Sequence, residues 1–253
     1  RVAAYAPNVP ETLVAFLATA SLGAVWSSCS PDFGASSVID RFTQIEPKVL
    51  VAVDGYAYNG KWFDRSQVVE DIAAELPTLA ARVRMPLYGA PPQEAEKAEK
   101  AEESGQAGHR TVEWSELRAV EGRLGFEPVP FAHPLWIVYS SGTTGLPKPI
   151  VHGHGGVVLE HLKALSFHQD LGEDDVFFWY TTTGWMMWNY LVGGLLAGSA
   201  IVLYDGSATH PGTDALWRLA AEEGVTYFGT GAPYIVASMK ANLRPTGLGA
   251  LRG

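Results

Sequence analysis

The sequence predicts an α/β protein with mainly parallel sheets flanked by helices, and three observations carry that expectation. Short apolar runs such as 48–53 read as strands buried on both faces. Between them lie stretches with helical periodicity, as in 36–45, where Val38, Ile39, Phe42 and Ile45 share one face. The two kinds of segment alternate along most of the chain, which is the pattern of strand–helix–strand crossovers.

In order, residues 2–6 read as a strand. Asn8 stands as the cap of a first helix, with Pro10 in the first turn, where proline is tolerated. Leu13, Val14, Leu17 and Leu22 recur through that helix, and Gly23 ends it. A strand at 24–29, the helix 36–45 and the strand 48–53 follow, then an amphipathic helix over 68–79 and a strand near 82–87. The stretch 89–110 breaks the rhythm. Pro91 and Pro92 open it, Glu, Lys and Ala fill it, and Glu96 and Lys100 have the i,i+4 spacing of a favourable pair. Lacking an apolar face, it reads as a charged loop or linker between a first α/β region, 1–88, and a second, 111–253. In the second region a strand at 134–139 precedes a helix over 157–171, with Val158, His161, Leu162 and Leu165 expected inward. Strands at 176–180, 200–204 and 225–228 alternate with helices at 189–196, 214–223 and 232–241.

Charge narrows the partners. The formal net charge is −9 and the pI about 5.2, which argues against nucleic acid or an anionic membrane as a main partner. No apolar run approaches the ~18 residues of a membrane span. Cys29 is the only cysteine, so an intrachain disulfide and a cysteine metal site are excluded. Set in the apolar run 24–29, it reads as a buried, inert thiol, and the expected compartment is reducing and cytoplasmic. The sequence starts at Arg1, already inside a strand, and reads as an incomplete N-terminal domain.

The stretch that carries chemistry is 139–148, Tyr-Ser-Ser-Gly-Thr-Thr-Gly-Leu-Pro-Lys. Gly142 and Gly145 let the backbone turn its N–H groups toward an anion. Ser140, Ser141, Thr143 and Thr144 add hydroxyl donors, and Lys148 brings a point charge on a long stem. The spacing is not that of a Walker loop: Lys148 is followed by Pro149 rather than by serine or threonine.

This ordered string closely resembles the nucleotide loop of the adenylate-forming superfamily, which includes acyl-CoA synthetases, luciferases and adenylation domains. The usual form ends in Pro-Lys-Gly, so Pro149 is a departure. A second block, 178–189, reads Phe-Trp-Tyr-Thr-Thr-Thr-Gly-Trp-Met-Met-Trp-Asn. With Pro-Lys-Pro-Ile-Val-His-Gly-His-Gly-Gly at 147–156, it narrows the resemblance to members that activate acetoacetate. The resemblance runs over nearly all of the chain and implies part of a large N-terminal domain. The implied reaction is attack of a carboxylate on the α-phosphate of ATP, giving an acyl adenylate and pyrophosphate, then displacement of AMP by CoA. Implied cofactors and substrates are ATP, Mg²⁺, CoA and acetoacetate. By the same resemblance Ser140, Ser141, Gly142, Thr143, Thr144, Gly145 and Lys148 bind ATP, with Lys148 and Thr143 in the catalytic step. The adenine turn, the ribose contacts and the adenylation lysine would lie past Gly253, so the chain alone is expected not to complete the synthesis.

Trp185, Met186, Met187 and Trp188 are expected to line the acyl pocket, Met being adaptable in shape. A keto oxygen needs a donor; a Trp indole N–H and Asn189 are both candidates. Lys61 and Arg65 stand where related enzymes hold the nucleotide end of CoA, with an exposed charged loop as the equal alternative. His152 and His154 have an i,i+2 spacing found in metal sites, but no third ligand presents itself, so a structural or substrate-edge role is expected and no metal. Three other readings stand beside the leading one. An acetyl- or propionyl-CoA synthetase differs only in its acid. An amino-acid adenylation module would need an acidic anchor, which 185–188 does not offer. A non-catalytic nucleotide-binding fragment would use the loop alone.

Overall fold

The computed structural model describes residues 1–94, 109–140 and 145–253. The expected Glu96–Lys100 pair and most of the charged stretch therefore lie outside the described residues. Contacts divide the chain into two units, one of residues 1–57 and 62–154, the other of 58–61 and 155–253.

In the first unit the elements run β1 (Val2–Tyr5), α1 (Pro10–Ser21), β2 (Trp26–Cys29), α2 (Ala35–Phe42) and β3 (Val49–Ala52). Then come β4 (Gly55–Tyr58), β5 (Lys61–Asp64), α3 (Ser66–Ala74), β6 (Ala81–Arg84), β7 (Arg110–Glu113) and α4 (Trp114–Ala119). The long strands β8 (Pro134–Ser140) and β9 (Lys148–Gly153) complete it. Seven strands form one sheet in the order β7-β6-β3-β1-β2-β8-β9. Its pairs are parallel except β8 with β9, which is antiparallel. Because β7, β8 and β9 share this sheet with β1 to β3, the division of contacts does not fall at 88–111, where the sequence changes character.

Strand periodicity of two sends side chains to opposite layers. On one face Tyr5, Cys29, Leu50 and Ile137 pack against Val38 and Phe42 of α2 and Val69 and Ile72 of α3. On the other face Phe16 of α1 lies edge-on to Trp26, with ring centroids 5.9 Å apart, and 5.7 Å from Trp136. Burying such a side chain contributes about 1.5–3 kcal/mol, so these two layers hold the sheet.

The first helix corrects the sequence reading twice. Its N-cap is Val9 and not Asn8, and no side chain caps it. The buried face is Thr12, Ala15, Phe16 and Thr19, whereas Val14 and Leu17 are exposed. Threonine can be buried here because its hydroxyl bonds locally: Thr12 Oγ1 donates to the Pro7 carbonyl and Thr19 Oγ1 to that of Ala15, both at 2.7 Å. Apolar spacing alone does not register that satisfaction. Four strands were also unforeseen: β4 and β5, which form a hairpin, β7 and β9. The hairpin turns on Asn59 and Gly60, at φ 52° and 73°, a left-handed pair favoured by Asn-Gly.

In the second unit, α5 (His154–Leu162) continues as a π-helical segment (Lys163–His168) to β10 (Val176–Trp179). There follow α6 (Met186–Val192), a 3₁₀ segment (Gly193–Ala197), β11 (Ala200–Val202), α7 (Ala215–Glu222), β12 (Tyr227–Gly229) and α8 (Ala232–Lys240). The sheet is parallel in the order β11-β10-β12. Phe177 and Phe178, adjacent in β10, are both fully buried on opposite faces. Phe178 meets Leu216 and Ala220 of α7 and Tyr234 of α8; Phe177 meets Leu165, Leu171 and Leu191. In α5 and its continuation His161 and Leu165 are buried as expected, while Val158 and Leu162 face outward and Val157 is buried instead.

Asp175, just before β10, collects donors. Thr226 Oγ1 lies 2.6 Å from its Oδ1, Arg252 Nε 3.1 Å from the same oxygen and the Gly172 amide 2.9 Å from Oδ2. Burial works against this carboxylate, but hydrogen bonds from Arg252, Thr226 and the Gly172 amide outweigh it and hold its pKa below the ordinary aspartate value. The resulting stabilisation is complete above the unfolded-state pKa and is lost as pH falls through the lower folded-state value. Asp175→Asn should therefore lower the urea midpoint at neutral pH and flatten its decline below about pH 4. An unchanged pH slope in the variant would show that Asp175 contributes nothing to acid sensitivity.

Candidate active site

The hairpin β8–β9 sets out the loop. Its register places Ser140 opposite Lys148, Tyr139 opposite Pro149 and Val138 opposite Ile150. Ser141, Gly142, Thr143 and Thr144 lie outside the described residues, so the site is built from what flanks them. Gly145, at φ 145°, leads into Leu146 and Pro147.

One foot of the loop is tied to the end of α2 and the other to the 3₁₀ turn (Thr43–Ile45) that follows it. Tyr139 donates its hydroxyl to the Arg41 carbonyl at 2.8 Å, and Gln44 Nε2 donates to the Pro147 carbonyl at 3.0 Å. Arg41 itself lies over the Phe33 and Tyr139 rings, 5.2 and 5.7 Å from their centroids, a cation–π arrangement. Burial pushes the Tyr139 pKa well up, so the phenol stays a donor across the physiological range. Arg41 and Gln44 were not singled out from sequence. They stand about a hundred residues before the loop, and no local pattern links them to it.

Lys148, the first residue of β9, is exposed, and among the described residues no carboxylate pairs with it. Its charge is available to an anion held by the loop. Ser140 is half-buried at the end of β8. Pro149 fits because β9 is the edge strand, where a missing N–H breaks no interior ladder.

In the second unit, Trp185 is the N-cap residue of α6, its amide donating to the Thr182 carbonyl at 3.1 Å. The helix starts at Met186, three residues earlier than expected, and this divides the apolar block. Trp185 and Met186 are 64% and 50% exposed, Met187 is half-buried, and Trp188 is fully buried. Asn189 is also buried. Trp185 and Met186 can meet a ligand, whereas Trp188 and Asn189 belong to the packing beneath.

The two cationic candidates also part company. Lys61 is exposed at the start of β5. Arg65 is engaged: its Nε donates to the Pro31 carbonyl at 2.9 Å, and its guanidinium lies 5.3 Å from the Tyr56 ring and 5.7 Å from that of Phe63. Those two rings are themselves stacked, 5.3 Å apart. Two arginines unremarked in the sequence do similar work at β6: Arg82 is buried in an ion pair with Asp54, and Arg84 Nε lies 3.0 Å from the same carboxylate.

His152 is half-buried, and the Trp136 indole N–H donates to its Nδ1 at 3.0 Å. His154 lies beside His133, ring centroids 5.8 Å apart, and burial and then the neighbouring imidazole lower its pKa. Among the described residues no three His, Cys, Asp or Glu side chains converge on a metal position. Cys29 is buried, and burial pushes its thiol up to about 12. No helix among the described residues is long and apolar enough to cross a membrane.

A family model described as AMP-binding enzyme matches residues 1–252. The chain belongs to the AMP-binding enzyme family. Among its relatives, the acetoacetyl-coenzyme A synthetase of Rhizobium meliloti (strain 1021) is 46% identical over 251 residues, covering 97% of this chain and 36% of that protein. The acetoacetyl-CoA synthetase of Danio rerio is 41% identical over 258 residues, covering 100% and 37%. In structure the chain is similar to acetoacetyl-CoA synthetase from Streptomyces lividans, with a TM-score of 0.90, 52% identity, and coverage of 100% of this chain and 37% of that one. The chain thus spans a little over a third of the length of these relatives. Membership of the AMP-binding family bears out the resemblance of the 139–148 string, and the α/β fold with its mostly parallel sheet matches the expected class.

The division between Lys61 and Arg65 is open to measurement. Losing the Pro31 bond and the stacking on Tyr56 and Phe63, Arg65→Ala should cost about 1–2 kcal/mol of unfolding free energy. Lys61→Ala should leave the urea midpoint unchanged. Equal effects of the two would return Arg65 to the surface.

Proposed function

We propose that the polypeptide containing this chain activates acetoacetate with ATP and transfers it to CoA, releasing pyrophosphate and AMP. One observation carries this reading: the loop between β8 and β9, ending on an exposed Lys148 that no carboxylate among the described residues pairs with, in a chain whose relatives bear the name acetoacetyl-CoA synthetase over its whole length. In this reading Ser140, Ser141, Gly142, Thr143, Thr144 and Gly145 enclose the β- and γ-phosphates. ATP arrives as its magnesium complex, the metal being part of the substrate. A carboxylate is a poor electrophile at carbon but a usable nucleophile at phosphorus, so the protein's share is positioning and charge stabilisation. Lys148 and Thr143 hold the charge that moves onto pyrophosphate as it leaves. Bonds from Tyr139 to the Arg41 carbonyl and from Gln44 to the Pro147 carbonyl hold the two ends of the loop, which supports a preorganised site.

Trp185, Met186 and Met187 form the face toward the acid, with Trp188 setting the helix beneath them. Trp185 is the accessible donor to the keto oxygen, since Asn189 is buried. Lys61 remains the candidate for the phosphates of CoA. We place the reaction in the cytoplasm, where a lone reduced thiol is at home.

In the complete polypeptide, Lys148→Ala should slow single-turnover pyrophosphate release by about a hundred- to a thousandfold, with little change in acid binding. An unaltered rate in a folded variant would reduce Lys148 to a surface residue. Specificity supplies a separate check. Butyrate keeps the chain length of acetoacetate but lacks the keto group, and Trp185→Phe keeps an aromatic ring, though a smaller one, but lacks the indole N–H. The preference for acetoacetate over butyrate in kcat/KM should fall by about tenfold in Trp185→Phe, the scale of one hydrogen bond. If acetate or propionate is already the best acid of the unaltered protein, a short-chain acyl-CoA synthetase takes the place of this reading.

A further inference from the structure

The pairing of β9 with β8 lacks the usual determinant of strand register. A strand with one buried face cannot slip by a residue without sending its apolar side chains into water. In β9, however, Ile150 and Val151 are adjacent, so they point to opposite faces, and both are exposed, at 43% and 55%. Burial therefore does not choose between registers. The ladder is also irregular at its far end. Pro134 pairs with Gly153 and Trp136 with His152, so Leu135 is one extra residue on β8. A bulge of this kind can absorb a one-residue shift.

Directly after the bulge stands a bond that can tell the registers apart. Trp136 and His152 are opposite partners, and the indole N–H meets Nδ1 at 3.0 Å. Indole is only a donor, so Nδ1 must carry a lone pair and the neutral ring holds its proton on Nε2. Trp136 is buried against Phe16 and cannot follow a sliding β9. A slip of one residue would put Val151 or Gly153 opposite the indole and leave its N–H without this acceptor.

We infer that His152 is the positioning residue for the phosphate loop: by accepting the Trp136 indole proton it fixes the register of β9, and so seats Lys148 opposite Ser140. The same register fixes the number of residues between the two strands and the face on which Lys148 emerges, since a one-residue slip reverses every side chain. His152 itself contacts no substrate. This rests on the proposed use of the loop for ATP, but the register itself can be read without activity.

The register is read by pairing Val138→Cys with Ile150→Cys, residues opposite each other in β8 and β9. The two thiols should be oxidised to a disulfide by diamide nearly completely when His152 is present. With His152→Leu added the yield should fall at least severalfold, and with His152→Asn, whose Oδ1 falls near the place of Nδ1, it should recover. Equal yields in all three would overturn the inference even if the polypeptide proves inactive toward acetoacetate. In kinetics of the complete polypeptide, His152→Leu should raise the KM for ATP and slow pyrophosphate release about three- to tenfold, the size of one neutral hydrogen bond, with the KM for the acid unchanged. The penalty of Lys148→Ala should shrink in the His152→Leu background, because a misplaced lysine has less to lose. Full additivity of the two, with the fold intact by melting temperature, would mean that His152 serves stability alone.

Discussion

A parallel sheet delivers its strands all in one direction, and each crossover brings the chain back to the opposite end. The pairing of β8 with β9 is where the first unit abandons that rule. Reversing the chain within a few residues places a short loop at the carboxyl end of β8, and the return strand delivers Lys148 at its root. Had the connection been another crossover, the lysine would have begun its strand at the far end of the sheet. Everything proposed for phosphate depends on this one antiparallel pair. It is held from elsewhere: by α2 and the 3₁₀ turn after it, which bond to Tyr139 and Pro147, and by the aromatic layer of Phe16, Trp26 and Trp136 at the other end.

The same logic separates residues that carry chemistry from residues that carry the framework. Arg65 and Arg41 resemble ligands in a list of charges, but each is occupied by a carbonyl or hydroxyl and by aromatic faces. Lys148 and Lys61 are exposed at strand ends. Arginine's planar, weakly hydrated head suits the first role and lysine's compact charge the second.

Much of this architecture was legible in the sequence, and the failures have physical causes. Buried strands such as β3 and β10 announce themselves because both faces are apolar. The family was legible from the ordered string of residue types at 139–148. Helix faces were less so: α1 buries two threonines whose hydroxyls are satisfied locally, and α5 buries Val157 where Val158 and Leu162 were expected. The Asn59-Gly60 turn did carry a local signal for the hairpin β4–β5. The block 185–188 read as one wall, but a helix beginning at Met186 turns successive residues through about 100°, which puts Trp185 and Met186 outside and Trp188 inside. The partners of the loop could not be read at all, because Arg41 and Gln44 reach it only through the folded sheet.

Under the proposed function, in which an activated acyl group is prepared for a thiol acceptor, Cys29 acquires a chemical meaning. An acyl adenylate does not distinguish the thiol of a cofactor from that of a cysteine, and a reactive cysteine nearby would divert acyl groups onto the protein. Here the one cysteine sits in the core layer of the sheet, out of reach of solvent. Burial pushes its pKa up to about 12, so the group stays a thiol at neutral pH. In that reading CoA would meet no rival thiol within this chain, and burial that looks like ordinary packing would also protect the intermediate from self-acylation.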